Sequence, residues 1–270
     1  MKMVRALGSS HNWGRQQAEL PDGRLVFVKS SASPSAAGVF ASEAAGLRWL
    51  AEAGAVGVAE VVEVTERRLV LGWVEAGVVS SREAERFGRG LARMHTAGAE
   101  GFGAPWAGFI ACLAMDNRGA GTWAEFYGAR RLGPFVRAAR NEGRLSAGDT
   151  VVMDRVVERL PVVAGAEEPP ARIHGDLWSG NVMWGEGGVV LVDPAAHGGH
   201  RETDLAMLAL FGLPHLEVVL AAYEEEVPLA DGWRERVPLH QLHPLLVHVR
   251  LFGGAYRDDL LDAAARVLAL

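Results

Sequence analysis

The residues best suited to chemistry lie in His174-Gly175-Asp176-Leu177-Trp178-Ser179-Gly180-Asn181, followed by Leu191-Val192-Asp193-Pro194. An Asp five positions ahead of an Asn, with a second Asp beyond a short hairpin, is a spacing that serves phosphoryl transfer. One carboxylate accepts a hydroxyl proton; an amide oxygen and the second carboxylate hold magnesium on nucleotide phosphates. Asp176 is the candidate base, and Asn181 and Asp193 are the candidate metal ligands. Each residue alone is explained as well by an ordinary loop or cap role. The set, with His174 bracing the loop, favours function.

A second pair belongs with them. Only Lys2 and Lys29 are lysines among 27 basic residues, and only Asn12, Asn117, Asn141 and Asn181 are asparagines. GC bias or heat adaptation produces such a composition, and against it an internal Lys or Asn stands out. Lys29 ends a strand pattern, and Glu43 follows on an inward helix face. Pairing would put an ammonium over the nucleotide phosphates, a compact point charge that planar Arg does not replace. Ser9 and Ser10, in the small polar run 8–14, are candidate phosphate contacts. That run lacks a glycine fingerprint and reads as a loop, and no Walker-type Gly-Lys-Ser/Thr occurs. Gly72, Trp73 and Val74 form a connector whose backbone could meet adenine.

The elements that must position these residues follow from periodicity. Residues 16–20 and 24–29 read as strands about the turn Pro21-Asp22-Gly23. A helix opens at Ser33-Pro34 and runs to about Ala53, with Phe40, Glu43, Leu47 and Leu50 on one face. Residues 58–64 and 69–74 read as strands, and 76–80 crosses to a mostly helical part. Helices are expected over 82–96, 122–139, 149–160, 204–211, 215–226, 237–251 and 258–268, with a loop at 166–170 and a buried strand over 189–192. The fold class is α+β with two lobes: 1–75, a small antiparallel-sheet lobe with one helix for the nucleotide, and 76–270, a larger helical lobe for catalysis and the acceptor.

Composition argues against other classes. The chain has 270 residues and a net charge of −6, which gives no basic excess for nucleic acid. No apolar run spans a bilayer, and the N-terminus lacks a signal-peptide core. Cys112 is the one cysteine, so an internal disulfide is impossible and a cytoplasmic setting is expected. It is expected to be a small buried hydrophobe. His95 reads as a satisfied core histidine, and the remaining histidines show no metal-ligand spacing.

The chain resembles the fructosamine (ketosamine) kinases, relatives of aminoglycoside and choline kinases. The match rests on 174–181 and Val192-Asp193-Pro194-Ala195, then on Gly199-His200-Arg201-Glu202-Thr203-Asp204 and Leu210-Phe211-Gly212. A C-terminal block, Leu251-Phe252-Gly253-Gly254-Ala255-Tyr256, and a middle segment with Phe102-Gly103, Asp116-Asn117, Trp123 and Arg131-Leu132 extend it over most of the chain. The resemblance implies a protein-kinase-like fold, ATP and Mg2+. It implies phosphorylation of the third hydroxyl of a fructosamine or ribulosamine, on a small molecule or a glycated protein, after which the product decomposes and frees the amine. It makes Asp176 the base, Asn181 and Asp193 the metal ligands, and Lys29 with Glu43 the phosphate clamp. Trp178, and then Asn117, Trp123 and Glu202, are candidate acceptor contacts. Ala-Met ahead of Asp116-Asn117 departs from the family pattern on the expected acceptor side. The alternatives are a kinase of another hydroxyl acceptor, aminoglycoside- or choline-like, and a silent kinase-like binding protein, against which the intact set of five argues.

Overall fold

Pro21-Asp22-Gly23 reverses the chain as its residues predict. Gly23 takes φ +86°, and its N–H reaches the Leu20 carbonyl at 3.0 Å. The computed structural model describes residues 1–10, 13–34 and 36–270. Around this turn lie β1 (Lys2–Ser10), β2 (Trp13–Glu19) and β3 (Leu25–Ser30). With β5 (Val61–Val64) and β6 (Arg68–Gly72) they form a five-stranded antiparallel sheet, ordered β1-β2-β3-β6-β5.

Helix α1 (Ala36–Ala51) covers this sheet. Phe40, Glu43, Leu47 and Leu50 are all buried, as the three-to-four period requires. Phe40 and Leu47 share a core with Trp13, Leu69 and Leu71.

Three strand expectations are corrected. Residues 8–10 and 13–14 are strand rather than loop: β1 runs to Ser10 and β2 starts at Trp13, with Ser9 opposite Gly14. Gly8, at φ +87°, absorbs a register shift that polarity alone disguised as a break. His11 and Asn12, within the predicted phosphate loop, lie outside the described residues. The strand over 58–64 is two strands, because β4 (Gly57–Val58) leaves the sheet and pairs parallel with β11 (Gly188–Leu191). The strand over 69–74 stops at Gly72.

The second part begins with α2 (Ser81–Thr96), capped by Ser80, whose hydroxyl accepts the Glu83 N–H at 3.3 Å. A hairpin of β7 (Gly108–Ile110) and β8 (Leu113–Met115) follows. Cys112 sits at its tip and is exposed, not buried; a turn between three-residue strands cannot cover it. The expected helix over 122–139 is α3 (Trp123–Phe126), a wide π turn over Tyr127–Leu132, and α4 (Gly133–Asn141). Pro134 has no N–H for a normal ladder bond, and the Gly133 N–H reaches back five residues to the Gly128 carbonyl.

Helix α5 (Ala147–Val163) leads to β9 (Ala171–Ile173), β10 (Val182–Gly185), β11 and β12 (His197–Gly199), then α6 (Glu202–Phe211), α7 (Leu216–Glu226), α8 (Trp233–Phe252) and α9 (Arg257–Leu268). The short strands β7 to β10 and β12 carry too few residues to show alternation in the sequence. Helix α8 continues through Pro244, whose ring deprives the His240 carbonyl of its ladder partner. One step before it, the Tyr127 hydroxyl sits between the Leu239 carbonyl and the His243 N–H, donating to the first at 2.8 Å and accepting from the second at 3.1 Å, with the His240 carbonyl at 3.5 Å. No described helix is long and apolar enough to cross a membrane.

Candidate active site

Asp176 is held by the turn that contains it. Gly175 sits at φ +79° with the Ala195 carbonyl 2.4 Å from where a Cβ would lie, so only glycine allows this passage. The buried Asp204 of α6 accepts the backbone N–H of His174 at 2.7 Å and of Gly175 at 2.9 Å. His95, on α2, contacts the same carboxylate at 3.1 Å and the Tyr223 hydroxyl at 2.8 Å. Burial alone would raise the Asp204 pKa, but His95 and His174 hold it below its ordinary value. His95 is buried and satisfied as expected, yet its partner Asp204 also holds the turn that contains Asp176. That link between α2, α6 and α7 had no local signal in the sequence.

His174 braces the loop as its position predicts. Its Nδ1 accepts the Asp176 N–H at 3.3 Å, and its Nε2–H donates to the Val192 carbonyl at 2.9 Å. Burial lowers its pKa, which favours this neutral form. Asn181 donates its Nδ2 to the Asp176 carbonyl at 2.8 Å, and also contacts Asp176 Oδ2 at 3.3 Å and the Asp193 carbonyl at 3.4 Å. Its Oδ1 is thereby turned from these carbonyls. Desolvation pushes the Asp176 carboxyl up to about 7, against the pull of Asn181 and Lys29 and with the push of Asp204.

The other lobe supplies the cation. Lys29 Nζ lies 2.9 Å from both oxygens of Glu43, and it also pairs with Asp193 Oδ1. Asp193 takes φ +54°, a left-handed conformation that costs a non-glycine residue energy. Lys29, Glu43, Asp176, Asn181 and Asp193 all line one cavity of about 300 Å³ between sheet and helices. A carboxylate and an amide oxygen there are hard oxygen donors of the kind magnesium takes.

Trp178 lines the same cavity and is 39% exposed. Its indole crosses Gly180, where an added Cβ would fall 2.3 Å from the ring, and meets the edge of Phe211 at 6.2 Å. Three acceptor candidates are placed elsewhere. Asn117 is buried under Arg131, 2.8 Å from its guanidinium. Trp123 stacks on Tyr127 at 4.7 Å and on His240 at 4.6 Å. Glu202 is gripped by Arg236 at 2.9 and 2.6 Å. Glu202, His200 and His240 do bring ligand atoms within 4.8 Å of one another. The Arg236 guanidinium already supplies the positive charge there, and the His200 Nδ1 accepts the Glu202 N–H at 3.2 Å.

Of the nucleotide candidates, Ser9 and Ser10 end β1 opposite Gly14 and Trp13. The Gly72 and Trp73 N–H groups donate to the carbonyls of Glu60 and Leu25, at 2.9 and 3.2 Å. Val74 follows them in the connector. Sequence reasoning missed Arg15, which lines the cavity beside Lys29.

The family profile named fructosamine kinase matches residues 12–269. The chain belongs to the fructosamine kinase family. As a member it is an ATP-dependent small-molecule kinase, in agreement with the cleft. It is 31% identical to the protein-ribulosamine 3-kinase, chloroplastic, of Arabidopsis thaliana, over 89% of this chain and 75% of that one. A crystal structure of a candidate fructosamine-3-kinase from Thermobifida fusca superposes with a TM-score of 0.96 at 52% identity, covering 99% of this chain and 93% of the other. A macrolide 2′-phosphotransferase from Brachybacterium faecium shares the kinase-like fold at a TM-score of 0.62 and 17% identity, over 97% and 91% of the chains.

Proposed function

We propose that this family member phosphorylates a sugar hydroxyl of a ketosamine, a fructosamine or ribulosamine borne by a small amine or a glycated protein. The convergence of Lys29–Glu43 with Asp176, Asn181 and Asp193 in one cleft carries the reading. Residues 1–75 form the nucleotide lobe and 76–270 the catalytic and acceptor lobe.

Magnesium-bound ATP supplies the transferable phosphoryl group and neutralises its charge. Asn181 Oδ1 and the Asp193 carboxylate would hold the metal, and Lys29, fixed by Glu43, would hold phosphate oxygens. The connector at Gly72, Trp73 and Val74 would receive the purine, with Ser9 and Ser10 above the phosphates. Asp176 accepts the proton of the acceptor hydroxyl, and a carboxyl with pKa near 7 is matched to that task. Trp178 presents an apolar face beside the base, suited to the carbon face of a sugar or to a cationic amine. A cytoplasmic setting belongs to the proposal and rests on the lone cysteine.

The test is an acceptor panel at fixed Mg2+ and ATP: a fructosamine, a ribulosamine, an aminoglycoside and choline, scored by ADP release. A ketosamine should be turned over at the highest kcat/KM; preference for an aminoglycoside or choline would sink the acceptor assignment. Asp176→Asn should lower kcat by roughly a hundredfold or more while ATP affinity stays within a few fold.

A further inference from the structure

The β2–β3 ladder sets Arg15 directly opposite Lys29. Side chains paired in this way project from the same face of a sheet, about 5 Å apart at Cβ. Their surroundings are unequal. Lys29 is neutralised by Glu43 and Asp193. Arg15 meets no carboxylate among the described residues, and its Nε is buried without a hydrogen-bond partner. Both residues line the cavity that holds Asp176 and Asn181. Arg15 is half-buried; a guanidinium offers five donors in a planar fork, and the buried Nε–H without an acceptor costs stability unless an anion arrives.

We propose that Arg15 is the second cation of the nucleotide site and grips polyphosphate oxygens alongside Lys29. The proposal rests on the ATP reading of the cleft. It explains how a hairpin lacking the glycine fingerprint can hold phosphates. A glycine-rich loop does so with free backbone N–H groups. Here the strand partners Ser9 with Gly14 and Ser10 with Trp13 carry the ladder to the hairpin's end. Arg15, the next residue along β2, brings donors in a geometry that phosphate accepts in bidentate fashion. The same ligand would satisfy the unmet donor.

The experiment is calorimetric titration of the wild-type protein, Arg15→Gln and Arg15→Lys with Mg2+ and a non-hydrolysable ATP analogue, with Mg·ADP, and with adenosine. Arg15→Gln is expected to weaken both polyphosphate ligands by roughly tenfold or more and to leave adenosine within about twofold. Arg15→Lys should recover part of the loss. The ligand-free melting temperature of Arg15→Gln should be no lower than that of wild type, since Arg15 holds no ion pair among the described residues and its buried Nε is unpaired. Unchanged polyphosphate affinity in Arg15→Gln, or an equal loss for adenosine, overturns the assignment. If wild type binds no nucleotide at all, the ATP reading falls first and Arg15 with it.

Discussion

Asp176 shows how a residue can be placed for chemistry at a cost to stability. Its folded pKa of about 7 lies above the ordinary value of 3.8. The folded state therefore holds the proton more tightly than the unfolded chain, and the carboxyl lowers stability progressively as pH rises from about 4 through 7. Asn cannot ionise and keeps an oxygen near Asn181. In metal-free buffer Asp176→Asn should raise the melting temperature by about 2 °C or more at pH 8 and leave it unchanged near pH 4. A melting curve lowered at both pH values would show that the carboxylate is structural. Gly180 makes a related point about the neighbouring indole. Gly180→Ala would displace Trp178 from its place across the backbone. It should raise the acceptor KM while leaving ATP affinity within about twofold, and a loss confined to ATP would contradict this placement.

At the scale of elements, helix α8 takes a hydroxyl from another helical segment into its own ladder. The Tyr127 hydroxyl serves a carbonyl and an N–H of α8 at once. Tyr127→Phe keeps the ring and leaves both groups buried and unpaired, which should cost about 1–3 kcal/mol in denaturant unfolding. An unchanged unfolding midpoint would mean that α8 closes its own ladder. The π turn that carries Tyr127 has its own reason in Pro134, which removes a donor one turn on. The two irregularities meet, and together they fix α3 and α4 against α8. The brace through Asp204 works in the same way, since one carboxylate on α6 ties down the turn before Asp176 and a histidine on α2.

Across the whole molecule, the cleft is closed by charge from both sides. Lys29 and Glu43 come from the sheet lobe, Asp193 from the helical part, and the three form one network. Packing brings them together: an added Cβ on Gly46 of α1 would lie 3.4 Å from Pro194 and 3.1 Å from Ala196, a close approach of helix and loop. A ligand that takes Asp193 into a metal shell must compete with Lys29 for it. Thermal stabilisation by nucleotide should therefore be larger with Mg2+ than with EDTA. At one hundred times Kd it is worth about 2.7 kcal/mol in either case, so the arms are compared at one fixed concentration. In Asp193→Asn the difference between the arms should largely vanish; a full Mg2+ effect in that variant would remove Asp193 from the metal site.

The residue types and order by themselves determined the core of this site. Asp176, Asn181 and Asp193 lie within one short stretch, and Lys29 and Glu43 are read from a strand end and a helix period, so local pattern is enough to find them. The sheet lobe, α1 and the main helices were legible for the same reason: burial repeats with the period of the element. Tertiary structure alone decided what depends on distant partners. Asn117, Trp123 and Glu202 have the right chemistry for an acceptor, but Arg131, Tyr127, His240 and Arg236 commit them to internal networks. Arg15 looks like any strand arginine until the β2–β3 register sets it against Lys29. Periodicity states which face a side chain occupies. Which other charges share that face is fixed by strand pairing and lobe packing, and those contacts between separated segments decide whether a polar residue is satisfied or still needs a ligand.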